Sequence, residues 1–220
     1  MSRWMTGLNA VFWGVSTITA ATVAYDFFFV RNRPTPFNPV VSFGRPAFTK
    51  LKDGTVSVAL PLSLSNSGVQ SGCISDVALK LRSEATHTTW TYFPAFFLDT
   101  MSYFKGKTAD PFDAFEATLG PIKLAGSDRV GKGILFMPRP PSNHKPIQAS
   151  DLTPDEYSFE IFVASTGPDC SLSDSSKFLP AAKTEYFLTA DLIGQLANGL
   201  KVQPLDKATE SLRDIFVKNP

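Results

Sequence analysis

Imidazole and thiol are scarce: 220 residues hold two histidines and two cysteines. Cys-X-X-Cys, His-Glu-X-X-His and Gly-X-Ser-X-Gly are missing, which leaves no dithiol redox pair, no zinc signature and no nucleophile elbow. An excess of charge of one sign is missing too. The 21 basic and 20 acidic residues leave a net charge of +1, without the basic face that phosphate contacts require, so no nucleic-acid partner is expected. No Asn-X-Ser/Thr acceptor, internal repeat or low-complexity tract occurs. Charged residues make up 19%, below the usual quarter of a soluble domain. What remains is apolar: 43% hydrophobic residues, among them 19 phenylalanines. That is enough for the core of one ordinary domain, and too much for a disordered chain.

One near-motif fails at its last position. Gly126-Ser-Asp-Arg-Val-Gly131-Lys132 is followed by Gly133, where a phosphate loop needs the hydroxyl of Ser or Thr to hold magnesium. Ile134-Leu-Phe-Met-Pro138 then reads as a strand stopped by proline, whereas a phosphate loop must open a helix. A turn between strands is the better reading. His87, in the polar run 84–89, and His144, in the loop 140–146, read as solvated loop residues. No catalytic, cofactor-binding or metal-binding residue is therefore expected, and the protein is not expected to be an enzyme.

The stretch from Trp4 to Val30 carries one charge, Asp26, and is bounded by Arg3, Arg31 and Arg33. The roughly 20 residues that a helix needs to cross a bilayer fit inside it, so residues 1–30 are expected to form a retained single-pass transmembrane helix in the lipid bilayer. The alternative is a signal peptide cleaved after Thr22-Val23-Ala24, which would leave Phe27-Phe28-Phe29-Val30 as an apolar new terminus. Gly7, Ala10, Gly14, Thr17, Ala21 and Ala24 recur at spacings of three and four. On a helix they form one stripe of small side chains, a packing interface for an integral membrane partner. The arginines on both flanks do not decide orientation. The two cysteines lean toward an oxidising compartment, which makes an extracytoplasmic main domain (periplasmic or lumenal) the expectation.

Residues 31–39 form a proline-rich spacer, and 40–205 read as a β domain. Val56, Val58, Leu60, Leu62 and Leu64 alternate with small or polar residues, the period of a half-buried strand. Pro61 on the outward parity suggests an edge or a bulge. Asp53-Gly54 marks a hairpin with 47–51, and Asn66-Ser67-Gly68 a second turn. Cys73, Val77, Leu79 and Leu81 resume a buried face, and Tyr157, Phe159, Ile161 and Val163 form another. Residues 88–95, 132–137 and 184–188 complete the strand readings. A short helix is expected over 192–197, stopped by Gly199, and a terminal helix over 206–220, capped by Asp206. Many short strands with turn residues between them imply a sandwich. In that general sense the chain resembles an immunoglobulin-like domain, without the Cys–Trp–Cys arrangement of antibody domains. The expected fold is mainly β: an antiparallel immunoglobulin-like β-sandwich preceded by a single N-terminal transmembrane helix.

Cys73 and Cys170 are either an ordinary buried thiol and a loop thiol, or a disulfide. A bond would close a loop of about 100 residues, worth roughly 4–5 kcal/mol on the chain-entropy account. Trp90, Tyr92, Phe93, Phe96, Phe97, Tyr103 and Phe104 open an aromatic cluster that runs on to Phe112 and Phe115. Consecutive Phe96-Phe97-Leu98 can be buried only if both faces of their strand are covered. The cover is another part of the chain, a partner or the membrane interface, so these rings are core or a contact surface. The function expected is that of a non-catalytic membrane-anchored accessory subunit in a larger membrane assembly. The alternative is a freestanding anchored module that binds a lipid or other apolar ligand between its sheets.

Overall fold

The computed structural model describes residues 18–26, 35–106, 110–138, 147–166, 170 and 178–206. The chain divides into two units, Met1–Pro36 and Phe37–Pro220. In the first, residues 18–25 are helical, and Ile18, Val23 and Tyr25 are exposed. Among the described residues no helix is long and apolar enough to cross a membrane. This overturns the single-pass membrane localisation. Gly7, Ala10, Gly14 and Thr17 of the small-residue stripe lie outside the described residues, while Ala21 and Ala24 lie on the exposed helical segment.

The second unit is built from β1 (Pro39–Phe43), β2 (Ala47–Lys50), β3 (Val56–Asn66), β4 (Gly72–Ser83), β5 (Thr89–Leu98), β6 (Phe115–Thr118), β7 (Ile122–Leu124), β8 (Arg129–Pro138), β9 (Asp155–Thr166), β10 (Leu179–Leu188) and β11 (Leu205–Asp206). One helix, α1 (Ala190–Ala197), follows β10, with the Thr189 side chain accepting from the Leu192 amide and Gly199 at φ +80° beyond its end. All the recorded strand pairs are antiparallel and belong to one sheet, ordered β1-β3-β8-β5-β4-β9-β10-β11, with β2 on β3, β6 on β5 and β7 on β4. β1, at one end of that order, touches β10 near the other, so the sheet curls into a half-barrel. The two separate sheets of the expected sandwich are absent here, because β8 pairs with β3 on one side and β5 on the other and so keeps the hydrogen bonding continuous.

The alternation read from sequence sets the inner face. Val56, Val58, Leu60, Leu62 and Leu64 of β3 are buried in one cluster with Leu79 and Leu81 of β4, Ile134 and Phe136 of β8, and Tyr157, Phe159 and Ile161 of β9. Phe159 meets Phe48 edge-on at 5.8 Å and Tyr186 at 5.5 Å, tying β2, β9 and β10 across the hollow of the curl. Pro61 sits at neither an edge nor a bulge. It lies where the neighbour of β3 changes from β1 to β2, and only its carbonyl is used there, accepting from the Gly44 amide at 2.9 Å. A residue without an N–H suits a gap in the ladder. The terminal helix expected after Asp206 lies outside the described residues, and Asp206 itself ends β11. It pairs with Tyr186 in β11 and forms an ion pair with Arg45 at 3.3 Å, and residues 207–220 lie outside the described ones.

Cys73 and Cys170 are joined as a disulfide, with Cα atoms 5.3 Å apart. Cys73 does not share the inward parity of Val77, Leu79 and Leu81. The pairing of β4 with β9 skips one residue between Ile74 and Asp76, so Ile74 joins the inner cluster and Cys73 turns the other way.

Tyr92 is fully buried, and its hydroxyl has no hydrogen-bond partner among the described residues. Burial, with Tyr157 as a second contributor, pushes the phenol well above the usual tyrosine range. Tyr92→Phe removes an unsatisfied polar atom and keeps the ring, so it is expected to raise stability by about 1 kcal/mol in urea denaturation. A loss of similar size would show that the hydroxyl has a partner after all.

Candidate interaction face

The consecutive apolar run of β5 is resolved by covering both of its faces. Phe97 points into the inner cluster. Phe96 and Leu98 join Ala47, Ala59 and Leu135 in a second, outer cluster, completed by Tyr103 and Ala114 from the segment after β5. The sequence builds that cover in two steps. Asp99 accepts from the Met101 and Ser102 amides and the Ser102 hydroxyl, opening the π-helical turn Met101–Lys105. These bonds, the Ser102 hydroxyl's first, hold the exposed Asp99 carboxyl below its ordinary range. Asp110 then accepts from the Phe112 amide at 3.0 Å and caps the 3₁₀ turn Pro111–Ala114, with proline at its first position.

The cover is latched at Tyr103. Its hydroxyl pairs with the Thr49 hydroxyl at 2.5 Å beneath β2, and Lys201 donates to the Tyr103 and Gly106 carbonyls with its amine 4.6 Å from the Tyr103 ring. Burial pushes the Tyr103 phenol up to about 12, although the bond to Thr49 opposes the shift. Desolvation also lowers the Lys201 amine from its usual value.

Four of the seven aromatic residues proposed from sequence as a contact surface are interior. Tyr92 lies in the inner cluster, as does Phe97, while Phe96 and Tyr103 lie in the outer one. Trp90, Phe93 and Phe104 are half-buried, Trp90 lying 6.4 Å from the Tyr157 ring. The rings that face outward in this region come from the cover itself. Phe112 and Phe115 are 54% and 51% exposed, yet stack on Phe96 at 5.4 and 5.3 Å, and Met101 on the neighbouring turn is 61% exposed. The signal for them was the Asp-Pro cap after a non-alternating stretch, which marks a turn that cannot bury every ring it carries.

Elsewhere, the chemistry stays structural. Ser83 donates its hydroxyl to Asp155, which also accepts from the Ala85 amide at 2.9 Å and the Glu156 amide at 2.7 Å. That serine faces a carboxylate and no imidazole, so it is not activated as a nucleophile. His87 lies on a turn at φ +53°, its Nδ1 3.2 Å from Arg82. His144 lies outside the described residues, among which no three His, Cys, Asp or Glu side chains form a metal-ligand group.

Burial would raise the Asp155 carboxyl, but the bonds from Ser83 and the backbone amides outweigh it and hold the group below its ordinary value. A depressed carboxyl stabilises the fold above its unfolded pKa of about 3.9, and that stability is lost as pH falls through the lower folded value. Asp155→Asn is therefore expected to cost about 1–3 kcal/mol at pH 7 and to flatten the loss of stability below about pH 4. Denaturation curves of wild type and variant that run parallel from pH 7 to 2 would contradict this role.

A cleft of about 540 Å³ opens between the β2–β3 hairpin and the turn at Pro111–Ala114, lined by Lys50, Lys52, Asp53 and Asp110 at its rim and by Phe112 and Met137.

No family model matches the sequence, and no curated protein matches it. Among solved structures, the chain is similar to one described as the ApaA protein from Bordetella pertussis, at a TM-score of 0.38 and 10% identity, over 72% of this chain and 98% of that one. It is also similar to one described as a late embryogenesis abundant protein, at a TM-score of 0.36 and 17% identity, over 82% and 88% of the two chains.

Proposed function

We propose that the protein is a non-catalytic accessory subunit of a larger assembly, covering a partner protein with the outer face of its sheet. The observation that carries this reading is the exposure of Met101, Phe112 and Phe115, two of them stacked on the buried Phe96. Aromatic rings held rigid by a buried neighbour lose little conformational freedom when a partner covers them, and such rings are typical anchors of protein interfaces. Capture of an apolar ligand within the curl finds less support, because Phe48, Tyr92, Phe136, Tyr157 and Phe159 are fully buried there.

The test is native purification of the endogenous protein with chemical cross-linking, beside a Phe112→Ser/Phe115→Ser double variant. Wild type is expected to co-purify with a stoichiometric partner. The variant should lose it with roughly a thousandfold drop in affinity, as loss of two interface aromatics worth about 2 kcal/mol each implies. Its melting temperature should stay near that of wild type, since both rings are already half in solvent. A wild-type monomer, or a double variant that keeps its partner, would overturn the reading.

A further inference from the structure

We draw no further inference here: the strongest candidate, the cleft of about 540 Å³ between the β2–β3 hairpin and the turn at Pro111–Ala114, has a rim of two lysines and two aspartates that selects no ligand charge, and nothing in the structure shows what occupies it.

Discussion

Replacing Cys73 and Cys170 together with alanine is expected to lower stability by about 4–5 kcal/mol and the melting temperature by roughly 10–15 °C. The estimate comes from the unfolded chain. The bond joins residues 97 apart in sequence, and freeing so long a loop returns conformational entropy to the unfolded state. Cys73 is fully buried although it lies in neither core cluster, so trimming its side chain adds a small cavity term to the loss. Wild type in reducing agent should therefore melt close to the double variant. Intact mass after alkylation should show no modified thiol before reduction and two after it. A shift under about 3 °C on reduction would sink the entropic account.

The second large effect is expected at Asn66, where the side chain serves as a junction between distant turns. Its oxygen accepts from the Asn38 and Gly68 amides at 3.2 and 2.9 Å, and its nitrogen donates to the Gln70 and Ala125 carbonyls at 2.7 and 2.9 Å. The residue is 2% exposed, so water cannot take over those bonds. Asn66→Ala strands four backbone groups and is expected to cost about 2–4 kcal/mol. Asn66→Asp should be as damaging at neutral pH, because a carboxylate keeps the two acceptor bonds but opposes two carbonyl oxygens. Urea denaturation of both variants measures this. A loss under about 1 kcal/mol in either would mean that the turns hold without the amide.

These two sites show which parts of the molecule local sequence can reveal. Strands β3 and β9 were legible because each keeps one buried side through many alternations. Strand β8 was legible only from 132 to 137, since Gly131 and Gly133 leave its earlier pattern blank. The turn at 66–68 was visible as Asn-Ser-Gly. Its role as a junction was not, because Asn38 and Ala125 lie 28 and 59 residues away. The same distance hid the cover over β5. Tyr103 meets Thr49 and Lys201 across 54 and 98 residues, and no local period encodes such a meeting. The aromatic cluster was visible as composition. Which rings point outward depended on two capped turns whose arrangement follows from tertiary contacts. The N-terminal expectation is different in kind: a stretch with few charges is compatible with a membrane helix, but among the described residues no helix is long and apolar enough to cross a membrane.

The extra residue in β4 decides which side of the strand Ile74 and Cys73 face. Deleting Ser75 would only remove the bulge, but one further residue inserted beside it would move Ile74 and Cys73 onto each other's sides while leaving Val77, Leu79 and Leu81 in place. An isoleucine would then face outward and half of a covalent crosslink would point into a packed interior. In most strands a one-residue slip exchanges greasy faces for polar ones. Here it would also uncouple the chemistry of oxidation from the geometry of folding, so the length of this strand is part of the cysteine pair's specification.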